Sequence, residues 1–206
     1  MYTSSESALH PSNEMANEES SVLCRANETK VIAYQKTKAV ADTMVLSAIS
    51  KTLRVATLRL PTVYGEGNPY MTLSILQQLR KGENEVQAGN NTTLKDSLYV
   101  ASATSAHILA AECLLAGFSD PNALRVDGEG FLLSGCEVLL SYDFMRKDWP
   151  AVGEKSMAED VKVIPMWVAM SITGATELVY WIITAGTKEP AMKREALVYL
   201  DRKILI

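Results

Sequence analysis

Hydrophobic positions along this chain fall into short strand-like runs and longer helical stripes. "MYTSS" is a brief β-prone stretch, followed from Glu6 to about Lys30 by polar, acidic sequence without a sustained period. That segment predicts a long surface excursion. "AYQKTKAVADTMVLSAI" predicts a helix, with Val31, Tyr34, Lys38, Ala41 and Val45 on or near one stripe and Ala39, Val40, Met44 and Ala48 forming the apolar side. "LRVATLRLPTVYG" is an apolar run of strand length, closed by Pro61, Gly65 and Gly67. "YMTLSILQQLRKGE" predicts a helix ending at Gly82. "DSLYVASATSAHILAAECLLAG" predicts a strand running into a helix capped by Gly117. "ALRVDGEGFLLSG" adds a strand, and "SYDFMRKDWPAVG" a helix stopping at Pro150. Strand–helix–strand alternation of this kind argues for a parallel sheet with helices on its faces.

The tail has a different character. From Ile164 to Gly186 the only charge is Glu177, over roughly the ~20 residues that a membrane span needs. Threonines, a serine and glycine dilute the apolar character. Two readings stand side by side, a buried helix pair and contact with a membrane surface.

Composition narrows the function classes. The 206 residues suit one domain, or one with a small appendage, and 48% hydrophobic with 21% charged is ordinary for a folded chain. A net charge of -4, with basic residues scattered, gives no electrostatic reason to expect nucleic acid. Cys24, Cys113 and Cys136 lie far apart without CxxC spacing and read as reduced thiols in a cytosol-facing protein. Only His10 and His107 could join them, so no metal site is expected.

The candidate chemistry sits at the start of the first helix. Tyr34 and Lys38, at i and i+4, project from one helical face. A cation held there favours the phenolate, so such a tyrosine can take a proton from an alcohol or return one to a ketone oxygen. The lysine can also reach the ribose of a nicotinamide cofactor. Ser5, at the end of the preceding strand, is placed to hold the substrate oxygen, and strand ends are where open α/β sheets put their chemistry. Alone, this spacing more often marks an exposed pair than a catalyst. The glycines Gly128, Gly130 and Gly135 lie in a strand with no suitable helix after them and read as structural.

The flanking segments resemble the extended short-chain dehydrogenase/reductase family, in its branch of 3β-hydroxysteroid dehydrogenases and decarboxylating sterol-4α-carboxylate 3-dehydrogenases. "YTSS" is similar to the strand ending in the active-site serine, "AYQKTKAVAD" to the Tyr-x-x-x-Lys helix, and "LRLPTVYGEGN" to the strand and loop beside the nicotinamide. "DSLYVASATSAHILAAECLL" resembles the following strand-to-helix segment, where His107 reads as a packing residue. "GEGFLLSGCEVLLSYDFMRKDW" and the apolar tail are similar to parts of the substrate side. The family often has proline where Leu60 stands.

The resemblance implies an α/β fold: the C-terminal part of a doubly wound Rossmann-type parallel sheet plus a small α/β substrate-binding region. It assigns 1–60 and 94–116 to the dinucleotide-binding sheet, and 61–93 and 117–206 to the substrate-binding region. It implies catalytic Ser5, Tyr34 and Lys38, with Tyr34, Lys38, Pro61, Thr62 and Val63 near an NAD or NADP cofactor. The reaction implied is oxidation of a secondary alcohol on a lipophilic polycyclic substrate, a sterol or secondary metabolite. The location implied is cytoplasmic, or peripheral on the cytosolic face of the endoplasmic reticulum, with membrane-surface contact through 164–186. No family-type glycine turn occurs, and Met1 aligns within the family's fifth strand. The expectation is therefore a truncated chain that binds a dinucleotide weakly and exposes a sheet edge for a homo-oligomer or partner chain. The rival reading is a non-redox homologue binding a hydrophobic ligand or a partner.

Overall fold

The computed structural model describes residues 1–10, 18, 21–28, 31–68, 77, 80, 85–120, 122–135, 138–147, 161–190 and 192–201. Its strands are β1 (Tyr2–Ser5), β2 (Ala56–Leu60), β3 (Thr62–Tyr64), β4 (Val86–Ala88), β5 (Leu94–Tyr99), β6 (Glu129–Leu132), β7 (Val138–Leu140) and β8 (Lys162–Ile164). Its helices are α1 (Ala33–Ser47), α2 (Val100–Ala116), α3 (Ser141–Lys147), α4 (Met166–Thr184) and α5 (Arg194–Asp201). The chain divides into two compact units, one from Met1–Asn68 and Asp96–Val138, the other from Pro69–Lys95 and Leu139–Lys203. In the first unit β6 extends the main sheet.

In the first unit, β1, β2 and β6 pair in parallel in that order, with Ser5 opposite Leu60 and Ala56 opposite Glu129. All five residues of β2 are buried, and their alternation shows what covers each face. Leu58 and Leu60 pack with Leu98, Ala103 and Ala110, while Ala56 packs with Leu114 and Val126. Those contacts place α2 on one face. Thr57 and Arg59 point the other way and bond Asp42 of α1. A parallel strand covered by a helix on each side is the α/β arrangement that the alternating pattern predicts.

The apolar run "LRVATLRLPTVYG" forms two strands rather than one. Pro61 has no N–H to donate to a ladder, and the run breaks there. The residues before it join β1 and β6; those after it pair in parallel with β5, Thr62 opposite Ser97. Gly65 follows at φ +120°, where a Cβ would lie 2.7 Å from the Tyr99 ring, so this turn requires glycine.

Two expectations need correction. The start of the excursion after β1 is core: Glu6, Ser7 and Ala8 form a buried 3-10 turn. An antiparallel bridge between Leu9 and Leu23, with Cys24 Sγ bonded to the Leu9 carbonyl at 3.2 Å, ties down its base. Second, α1 buries only Ala39 of its expected apolar side. Val40 and Met44 are 40% and 66% exposed, while Gln35, Ala39 and Asp42 face inward. Hydrogen bonds to the inward polar groups offset the cost of burying them. Gly117 caps α2 as expected, with a right-handed φ of -60°.

In the second unit, β4 and β8 form a two-stranded parallel sheet, Val86 opposite Lys162. The expected tail helix pair is one 19-residue helix, α4, closed by Ala185 and Gly186 at φ 49° and 76°. Arg194 of α5 bonds Glu177 of α4 through its backbone N–H at 2.7 Å and its Nε at 3.4 Å. Of the helix expected over 70–83, only Gln77 and Arg80 are among the described residues, and both are helical; the expected stop at Pro150 lies outside them.

Candidate active site at the end of the parallel sheet

The helix start that carries Tyr34 is fixed locally. Gln35 is buried, and its Oε1 accepts the Ile32 N–H at 3.2 Å, satisfying one of the donors that a helix N-terminus leaves open. Tyr34 lies in this first turn and is 52% exposed. One turn further on, the Lys38 ammonium donates to the Thr3 carbonyl at 3.0 Å. It also lies 6.0 Å from the Tyr34 ring centroid and 5.3 Å from that of Tyr2. The i, i+4 spacing therefore becomes a shared location, with the lysine tethered to the strand that ends in Ser5.

Ser5 is the last residue of β1, and its Oγ accepts the Ser7 N–H at 3.2 Å, capping the 3-10 turn. Strand alternation sets Ser5 in register with Leu60 and so towards the α2 face, whereas Lys38 reaches β1 from α1. No direct hydrogen bond joins the Ser5 and Tyr34 hydroxyls. Pro61 comes one residue beyond the Ser5–Leu60 pair, at the same end of the strands, and it is buried. Thr62 and Val63 are half-buried in β3, and Asn68 Nδ2 donates to the Val63 carbonyl at 2.6 Å. In the loop after β3, the Tyr99 hydroxyl donates to Glu66 Oε2 at 2.6 Å. That bond holds the Glu66 carboxyl below the usual carboxylate range.

Sequence reasoning missed the group that anchors α1. Asp42 lies one further turn along the Tyr34–Lys38 face and has no exposed surface. It accepts Arg59 Nε at 3.0 Å, Arg59 Nη2 at 3.1 Å and Thr57 Oγ1 at 3.1 Å. Arg59 Nη1 reaches on to the Gly130 carbonyl at 3.2 Å, so the network links α1, β2 and β6. The available signal was an arginine alone within an apolar strand together with an acid at i+8 from Tyr34. Gly130 faces the Arg59 guanidinium and Gly135 the Ser97 carbonyl, both positions without room for a Cβ, in keeping with a structural reading of these glycines.

A parallel sheet with helices on both faces, bearing a tyrosine and a lysine one turn apart at its strand ends, defines an α/β protein of Rossmann type. The profile of the 3-beta hydroxysteroid dehydrogenase/isomerase family matches residues 1–147, and the chain belongs to that family. It is 32% identical over 204 residues to the decarboxylating sterol-4-alpha-carboxylate 3-dehydrogenase of Gibberella zeae, covering 98% of this chain and 66% of that protein. It is also 32% identical over 167 residues to the Schizosaccharomyces pombe enzyme of the same name, covering 81% of this chain and 46% of that one. The chain thus spans about half to two thirds of the length of these curated relatives. The crystal structure of a nucleoside-diphosphate-sugar epimerase from Pseudomonas aeruginosa shares its fold, with TM-score 0.63 and 18% identity over 95% of this chain and 57% of that one.

Proposed function

We propose that this protein oxidises the 3β-hydroxyl of a lipophilic polycyclic alcohol of sterol type with NAD or NADP. The observation that carries the reading is the tethered Lys38 ammonium beside the Tyr34 ring, in a chain of this family. Tyr34 is the general base and takes the proton from the substrate hydroxyl. Lys38 stabilises the phenolate by its charge, and Ser5 donates a hydrogen bond to the oxygen as it becomes a ketone. The cofactor's nicotinamide end suits these residues. One Lys38 N–H goes to Thr3, which leaves ammonium donors for ribose hydroxyls, and we assign Tyr34, Pro61, Thr62 and Val63 to that same end of the cofactor. When bound, the oxidised nicotinamide supplies the hydride acceptor. Where the substrate carries a carboxylate on the neighbouring carbon, the product is a β-keto acid, which loses carbon dioxide readily.

The second unit, with α4, is assigned to the lipophilic substrate, and the sheet of the first unit to the dinucleotide. Helix α4 is long and apolar enough to cross a membrane, and 11% of its most apolar window is buried. Trp167 and Trp181 are 73% and 64% exposed. These features support contact with a membrane surface, as on the cytosolic face of the endoplasmic reticulum. Among the described residues β1 forms an edge of its sheet, which supports a second copy or a partner chain pairing there. The test of the activity is production of reduced cofactor from a 3β-hydroxysterol 4α-carboxylic acid, with release of carbon dioxide. A folded protein that binds the sterol but reduces no cofactor favours the non-redox reading instead.

A further inference from the structure

We propose that His107 is a positioning residue for Lys38, acting through Thr3 from the opposite face of the sheet. This inference rests on the reading of Tyr34 and Lys38 as the reactive pair. The His107 ring lies between two partners. Its Nδ1 is 2.7 Å from the Ala103 carbonyl, one turn back on α2, and its Nε2 is 2.8 Å from Thr3 Oγ1. A carbonyl can only accept, so Nδ1 carries the hydrogen. In the neutral ring Nε2 is then left to accept the Thr3 hydroxyl.

Thr3 therefore has two roles. Its side chain bonds His107 on the α2 side, and its carbonyl takes the Lys38 ammonium from α1. Alternation along β1 supports this division: Thr3 shares a face with Leu58, whose face α2 covers, while Tyr2 faces α1 and lies under Lys38. Lys38 is a long, flexible side chain with three rotatable donors, so its location depends on what receives them. A Thr3 peptide held at its side chain by His107 presents that carbonyl in one orientation. The line of contacts runs from Ala103 through His107, Thr3 and Lys38 to the Tyr34 ring. Packing alone does not require a hydroxyl at position 3, and positioning does.

The test is nuclear magnetic resonance of the folded full chain, without substrate or cofactor, following the Lys38 ammonium protons and the His107 ring nitrogens. In the native protein the ring shows the Nδ1–H tautomer and the Lys38 protons exchange slowly. Thr3→Val removes the hydroxyl and keeps the shape and the carbonyl. It raises Lys38 proton exchange about tenfold, the scale of losing one hydrogen bond. His107→Ala does the same, and Thr3→Ser restores the native rate. Native exchange in Thr3→Val, loss of protection in Thr3→Ser as well, or an unprotected Lys38 in the native chain each overturns the proposal. Should His107→Ala not fold, the Thr3 pair decides alone. A chain that lacks dehydrogenase turnover but shows these signals contradicts the proposed activity and leaves the positioning intact.

Discussion

Arg59 closes on Asp42 with two hydrogen bonds, Nε to Oδ2 at 3.0 Å and Nη2 to Oδ1 at 3.1 Å, where α1 meets the sheet. Parallel N–H donors on one carboxylate fix orientation as well as distance. Asp42 stands one turn beyond Lys38, so this pair sets how far along the strand ends the Tyr34–Lys38 face of α1 sits.

Breaking the pair on one side leaves an uncompensated buried charge. Asp42→Ala is expected to cost about 3–5 kcal/mol of stability, measured by urea unfolding. Replacing both partners by apolar residues, Asp42→Leu with Arg59→Met, recovers most of that loss. It does not recover turnover, because the helix loses its oriented anchor. A double variant with native kcat would show that the pair serves stability alone.

Much of the first unit was legible. The β-prone "MYTSS", the helix at Ala33, the strand before Pro61 and the strand–helix at Leu94 follow from patterning, because each has a simple period or a strong breaker at its end. Where a polar group replaces an apolar one inside, the pattern fails. Gln35 and Asp42 made the inner face of α1 look like the outer one, and Glu6 made a buried turn look like surface. β4 and β8, at three residues each, are too short for a period and owe their existence to each other. That Tyr34 and Lys38 share one helix face was legible from their spacing, but the Thr3 carbonyl under Lys38 was not, since backbone acceptors leave no mark in a sequence.

Gly135 offers a sharp packing test. A Cβ there would run into the Ser97 carbonyl oxygen of β5, while its N–H donates to Asp96 at 3.1 and 3.2 Å. Gly135→Ala is expected to destabilise the chain by about 1–3 kcal/mol through overpacking. An unchanged melting temperature would contradict this packing.

Tyr142 gives a prediction in pH. Burial raises its phenol above the ordinary tyrosine value, partly opposed by the Ala88 N–H donating to it at 3.0 Å and by the Arg146 charge. A folded-state value above the unfolded one means that this contribution to stability is complete below about pH 10. It is lost as pH rises from there through the folded value. Tyr142→Phe should lessen the alkaline loss while costing about 1 kcal/mol at neutral pH for the missing acceptor. Urea midpoints for both proteins across alkaline pH check the sign; parallel curves would contradict it.

Exposed apolar residues on α4 should bind lipid. Replacing Trp167, Trp181 and Ile183 (73%, 64% and 76% exposed) by Ser is expected to reduce co-sedimentation with phosphatidylcholine vesicles markedly. Equal partitioning of both proteins would remove the membrane contact.

In the proposed reaction, proton transfer to Tyr34 is coupled to hydride loss from a sterol carbon. It is tested most directly with a 3β-hydroxysterol 4α-carboxylic acid deuterated at C3, incubated with the protein and NAD or NADP, the reduced cofactor being analysed by mass spectrometry. Deuterium is expected on the nicotinamide ring and, with Tyr34→Phe, transfer slower by at least about a hundredfold. A folded native protein that transfers no label, or a Tyr34→Phe protein that transfers it at the native rate, would contradict it.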